Sequence, residues 1–283
     1  MAIFGILWDS VIIVPFTNAL LLIYAFVGNF GLSIILFTIL IRLLTHPIMA
    51  AQIKSSTEMQ KLMQSDEYKK IQEKYKKDQE KLGQETMRLY QEHGVSPFSS
   101  CLPTLIQFPI LIGFYQSIVR AISTTPLQLL AVARNIYPWL SLISPKASLS
   151  ALIPIQSHFL WMDLGQPERV FLAFLPAFGI PTLAIIVGIT TFLQSKLIMP
   201  PSNNPNDQSA QMTQSMTLMM PVMLFMFALN YASGLAVYLI TANIFSIAQY
   251  AALGKLNLGN LFGLKKQTAE ITPQAKKKSG KRS

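Results

Sequence analysis

Apolar residues fall in runs about as long as a bilayer is thick, with turn-forming or charged residues between them. A hydrocarbon core of ~30 Å needs ~20 residues at ~1.5 Å each. Five stretches meet that length, at about 28–50, 98–120, 170–195, 212–230 and 235–253. They predict an all-α membrane protein with five transmembrane helices. An earlier stretch, 3–27, is apolar but interrupted by Asp9, Pro15 and Asn18. That pattern suits an extracytoplasmic helix lying in the interface better than a clean span, and a sixth span is the alternative. Pro103 and Pro109 lie inside the second stretch, where neighbouring helices or water satisfy the freed carbonyls. Only Asn230–Gly234 separates the last two stretches, which predicts a tight helical hairpin.

The polar intervals differ in kind. Residues 51–93 carry nine Lys/Arg and eight acids, with apolar residues at helical spacing: Met59, Leu62, Met63, then Ile71 and Tyr75, then Leu82, Leu89 and Tyr90. A break near Lys77-Asp78 makes this a helical hairpin, stopped by Gly94. Most of its charges need be no more than a solvated face. Residues 121–168 are punctuated by Pro126, Pro138, Pro145 and Pro154. They are expected to form a long extracytoplasmic connection with short interfacial helices, anchored by Trp139 and Trp161. The linker PPSNNPNDQS is turn chemistry throughout. The tail 254–283 carries eight Lys/Arg against Glu270 alone, and disorder is expected there.

Composition sharpens this picture. The chain of 283 residues is 51% hydrophobic and 13% charged, too apolar for an ordinary soluble domain. The first Lys or Arg is Arg42, so no basic leader of a cleavable signal or transit peptide is expected. Eighteen Lys/Arg fall in the hairpin, the 196–211 linker and the tail, against four (Arg120, Arg134, Lys146, Arg169) on the opposite side. The positive-inside rule then places the N-terminus outside and the C-terminus in the cytoplasm. Cys101 is the single cysteine, so no internal disulfide forms. The three histidines show no metal-ligand spacing.

One residue stands against the pattern of the first span. Arg42 lies thirteen residues past Asn29, ~20 Å along the helix, and an arginine near mid-span costs about 2.5–3.5 kcal/mol on insertion scales. A residue retained at that cost reads as functional. The bland reading is an arginine that snorkels to the inner headgroups. Thr38, Arg42 and Thr45 are spaced i, i+4, i+7 and share one helix face. The stripe suggests a hydrophilic cavity open to the cytoplasm. Gln107, Gln116, Gln194 and Asn243 are the polar residues of other spans that could line it, or could serve only as interhelical hydrogen-bond partners. The fourth span is rich in methionine, including Met216, Met219, Met220 and Met223. These are either packing or a pliable apolar slide for many partners.

The run ILIRLLTHPI (39–48) precedes the charged hairpin, and LYQEHGVSPFSSCLPTLIQFPI (89–110), FLWMDLG (159–165), MTLMMPVMLF (216–225) and SGLAVYLITANIFSIAQ (233–249) follow in order. Together these motifs resemble the YidC family of membrane protein insertases, whose relatives occur in mitochondria and thylakoids. The resemblance covers about 28–253. It implies five spans around a hydrophilic groove closed to the outside and open to the cytoplasm and lipid, with Arg42, Thr38, Gln107 and the last-span Tyr238 at groove positions. The chain departs from many relatives in carrying Tyr238-Leu239 where they have two adjacent tyrosines. The resemblance further implies nascent membrane proteins as clients, a bacterial inner membrane as the site, and the general secretion channel as a partner. The basic tail, with Lys276, Lys277, Lys278, Lys281 and Arg282, resembles ribosome-contacting tails, and its charge suits ribosomal RNA or anionic lipid equally.

Neither an enzyme nor a cofactor is expected, since no phosphate-binding loop, HExxH or nucleophile–base spacing occurs. A small-molecule anion transporter using Arg42 is the rival function. Internal inverted repeats would favour it, and none is visible. A structural scaffold would leave Arg42 unexplained.

Overall fold

Asn29 starts the helix around which the others pack. Its side chain accepts the Leu32 amide at 3.0 Å, the N-cap that Asn is suited to supply. Gly28, at φ 70°, turns the chain out of the preceding helix. The computed structural model describes residues 2–76, 78–94, 102–122, 125–140, 155–171, 179–198 and 208–256. Cys101 and the basic tail, with Lys276, Lys277, Lys278, Lys281 and Arg282, lie outside the described residues.

A continuous helical segment comes first: α1 (Ala2–Trp8), one π turn (Asp9–Ile13) and α2 (Val14–Val27). Then α3 (Phe30–Leu44) runs into α4 (His46–Met63) across a bend of 59°. The expected span 28–50 is therefore broken at Thr45. Pro47 has no N–H to give the Leu43 carbonyl, and the Thr45 hydroxyl donates to Ile41 O at 2.8 Å. Beyond the bend, α5 (Asp66–Lys74) and α6 (Gln79–Glu92) complete the charged segment. It is three helices rather than two, because Ser65 caps α5 by accepting the Tyr68 amide. The expected break falls between α5 and α6, where Asp78 caps α6, and Lys77 lies outside the described residues. Leu62, Tyr68, Leu89 and Tyr90 form the small core of this unit, packed by Met59, Met63 and Ile71.

The second expected span is α7 (Leu102–Ala121), followed by α8 (Pro126–Asn135) in the long connection. Short strands accompany α8, in that connection and after it. Strands β1 (His158–Phe159) and β2 (Met162–Asp163) pair antiparallel, as do β3 (Val170–Phe171) and β4 (Gly179–Ile180). The third expected span is met by α9 (Thr182–Ile198), which begins twelve residues later than the expected start at 170. Pro181 precedes it, and the Glu168 carboxylate fixes the start by accepting the Thr182 hydroxyl at 2.6 Å and the Leu183 amide at 3.0 Å. The chain closes with α10 (Gln208–Asn230) and α11 (Ser233–Ala252).

The helix α11 is the centre of the bundle. It packs on α3, α7 and α9, and α10 packs mainly along α9 and only marginally on α11. The expected close pairing of the last two helices is thus replaced by α9 wedged against both. All of Leu235–Leu239 is buried. The starts of α3 and α11 and the finish of α7 share one end of the bundle, where Ile34 and Ile118 close on Gly234. Residues 155–168 cover that end. Ser233 and Gly234 amides donate to Gln166 O at 2.9 Å and Leu164 O at 3.0 Å. The Phe159 ring lies over Gly31 and fills the space a Cβ there would need.

The α1–α2 segment runs along this same end. Asp9 pairs with Arg120 near the finish of α7, and Tyr24 meets Phe30 at the start of α3 and accepts the Gln156 amide. Asn18 joins it to the connection, donating to Asn135 O at 2.9 Å and accepting the Tyr137 amide at 2.8 Å. By length and composition, Gly5–Val27 and Ser233–Ala252 can each cross a membrane, α3 with α4 forms a bent candidate, and Thr182–Ile198 and Leu218–Asn230 are shorter apolar helices.

Candidate functional site

Four aromatic rings lie across the interior below the covered end. Phe16 meets Phe37 edge-on, Phe37 stacks on Phe114 at 5.2 Å, and Phe114 meets Tyr238 at 4.6 Å. Phe37 and Phe114 are almost fully buried. The column joins α2, α3, α7 and α11. Its last member carries a hydroxyl, and that hydroxyl leads into the polar cluster.

Tyr238 accepts a hydrogen bond from the Gln107 amide of α7. Its phenol also lies near enough to Arg42 of α3 for the two to interact electrostatically. Three helices thus bring Arg42, Gln107 and Tyr238 together. Among the described residues, Arg42 has no carboxylate partner. Thr38, one turn earlier, is buried and donates to its own Ile34 carbonyl at 2.7 Å. Thr45 closes α3 and bonds Ile41 and Arg42 carbonyls.

The other sequence-predicted residues sit elsewhere. Gln116 is on the covered-end side of the aromatic column, where its amide oxygen accepts the Trp8 indole N–H at 2.9 Å. It holds the N-terminal helix rather than joining Arg42. Asn243 turns toward α9 and donates to Thr191 at 2.9 Å and Thr190 at 3.2 Å, an interhelical clasp. Gln194 is half-buried on α9, one turn beyond that clasp. The methionines divide. Met219 is 71% exposed on the outer face of α10, whereas Met220 and Met223 are half-buried. The side chain of Met216 lies outside the described residues.

Sequence reasoning missed Thr191, Ser246, Gln52 and Gln249, all buried polar residues. Gln249 had a usable signal. It stands eleven residues after Tyr238, and ~100° per residue returns it to the same helix face.

Apolar helices wound around a buried aromatic column, with an arginine that has no carboxylate partner among the described residues, define a polytopic membrane protein. The family model described as 60Kd inner membrane protein matches residues 22–258. The chain is 38% identical over 277 residues to "Membrane protein insertase YidC 1" of Halalkalibacterium halodurans, covering 96% of this chain and 87% of that one. It is 35% identical over 247 residues to "Membrane protein insertase MisCA" of Bacillus subtilis, covering 86% and 77%. A crystal structure described as active YidC insertase with the first transmembrane domain resolved overlays with a TM-score of 0.49 at 23% identity, over 87% of this chain and 44% of that chain. The chain belongs to the 60Kd inner membrane protein family, that of the YidC insertases.

Proposed function

We propose that the protein is a membrane protein insertase of a bacterial inner membrane, one that receives a polar stretch of an arriving chain beside Arg42 and releases its apolar part sideways into lipid. The single observation that carries this is the placement of Arg42. It lies near the Tyr238 phenol, which accepts the Gln107 amide, with no carboxylate partner among the described residues. Unpaired charge in hydrocarbon is costly, so this arrangement needs water or an anionic guest. A wet groove with a fixed positive charge receives a polar segment part-way and shortens its dry path. Burial of the apolar segment in lipid supplies the driving force without a nucleotide.

In this reading the end covered by residues 155–168 faces outward, the aromatic column seals the groove, and the charged segment α4–α6 stands in the cytoplasm. The helix α1–α2 lies along the outer interface, held at both its ends to the outer ends of α3 and α7. Five spans then remain: α3 with the start of α4, α7, α9, α10 and α11. The exposed α10 face with Met219 and Met226 meets lipid and the departing segment. Nascent membrane proteins are the clients. The basic tail meets the ribosome, and the general secretion channel is a partner for clients with long translocated domains.

The test is depletion and rescue. Cells lacking their own insertase receive this chain, wild type or Arg42→Ala, and insertion of a small two-span client is read by protease protection. Rescue by the wild type and loss in the variant at equal membrane levels is the expected result. A correctly inserted wild type that rescues no client overturns the reading in favour of anion transport.

A further inference from the structure

A cavity of about 550 Å³ opens at the covered end, within the ~300–1,000 Å³ of small-molecule sites. Trp161, Asp163, Glu168, Arg169 and Thr182 are among the residues that line it. Each charged group is positioned locally. The Asp163 carboxylate accepts the Gly165 amide at 2.9 Å. The stem of Arg169 packs against Gly179 of β4, which has no side chain to displace it. Glu168 is engaged by the Trp161 indole N–H at 3.2 Å and by the start of α9. Asp163 and Arg169 line the same cavity without closing on each other, and Arg169 makes no ion pair among the described residues. One negative and one positive group therefore stand open to a single guest.

The depth of the cavity says what that guest is. Thr182 begins α9, whose 17 residues rise ~25 Å, less than a hydrocarbon core of ~30 Å. The start of so short a span stands no higher than the lipid headgroups. Trp161 is exposed, and so is Phe171, which follows the lining residue Val170, as suits aromatic residues at a membrane boundary. Two carboxylates against one guanidinium disfavour a purely anionic headgroup. We propose that this cavity binds the headgroup of an amine-bearing zwitterionic phospholipid, with its phosphate against Arg169 and its ammonium against Asp163. The bound lipid joins the β1–β2 hairpin to the start of α9 and so braces the covered end. This inference rests on the insertase reading for the position of α9 in the membrane.

The test uses the delipidated full chain in detergent micelles. It is titrated with dioleoyl-phosphatidylethanolamine or dioleoyl-phosphatidylglycerol, and retained lipid is counted by native mass spectrometry. Arg169→Gln removes the cation. Asp163→Asn removes the anion and keeps an acceptor for the Gly165 amide. The expected result is that the wild type retains the ethanolamine lipid in preference and gains melting temperature from it. Each variant melts as the wild type does without lipid, yet retains the ethanolamine lipid roughly three- to tenfold less well, the loss of one partly solvated charged contact. Asp163→Asn also narrows the preference over the glycerol lipid. Equal retention of both lipids by the wild type overturns the site. So does unchanged retention in both variants, or a loss of retention that follows a fall in the lipid-free melting temperature. A benzoylphenylalanine at Trp161 that crosslinks a protein rather than lipid in native membranes overturns it in favour of a protein partner. Insertion of a client by the wild type in proteoliposomes is read separately: insertion without selective retention overturns the site alone, and no insertion overturns the reading on which the site rests.

Discussion

Arg42 sets what a single residue does here. Lysine keeps the charge but lacks the planar fork and holds its hydration more tightly. If the groove needs only a positive field, Arg42→Lys retains most insertion activity and Arg42→Ala loses it, as read by protease protection at matched expression. Tyr238→Phe deletes the acceptor of the Gln107 amide and should lower stability by about 1–3 kcal/mol, the cost of an orphaned buried donor. Adding Gln107→Leu should recover part of that loss, and thermal melts of the single and double variants check it. The stripe Thr38–Arg42–Thr45 was legible because it depends only on the period of one helix. The partners of Gln116 and Asn243 were not, because they depend on how neighbouring helices are rotated. Gln116 found Trp8, and Asn243 found Thr190 and Thr191. Neither choice leaves a mark on local sequence.

At the level of elements, close approach and capping decide what forms. The Phe159 ring occupies the space a side chain at Gly31 would need. Gly31→Val should displace the β1–β2 hairpin at about 1–3 kcal/mol, and Phe159→Ala in the same chain should restore most of it. Melting temperature and the accessibility of a cysteine at Leu164 to a thiol reagent, in a Cys101→Ser background, measure both effects. In α6, the Lys81 amide donated to Asp78 holds that carboxyl below the usual carboxylate range. A depressed pKa stabilises the folded form above the unfolded carboxylate pKa, and that support is lost as pH falls through the folded value. The α5–α6 helicity should therefore fray in acid, and Asp78→Asn should flatten the acid limb of a circular dichroism titration. The break ahead of α6, capped by Asp78, and the stop at Gly94 could be read from the chain because caps are local. The hairpins of 158–180 could not. Residues 170–180 are apolar enough to join a span, and it is Glu168, across the turn, that fixes the α9 start at Thr182.

The whole molecule joins a covered end, an aromatic column and a polar cluster along one axis. That the chain is mostly helical, with apolar helices parted by polar intervals, was legible from apolar run lengths. Packing order was not: α11 at the centre and α9 between its neighbours follow from side-chain fit, which hydropathy does not encode. The central claim is electrostatic, and a client's own charge tests it most directly. Proteoliposomes containing only this chain, wild type or Arg42→Ala, would be given two versions of a one-span client whose translocated segment is acidic or neutral. Insertion would be followed by protease protection over time. The account predicts that Arg42→Ala slows the acidic client by roughly tenfold or more, a pairing free energy of about 1.4 kcal/mol, and slows the neutral one far less. Equal slowing of the two clients, or none, would contradict a groove arginine that receives charge.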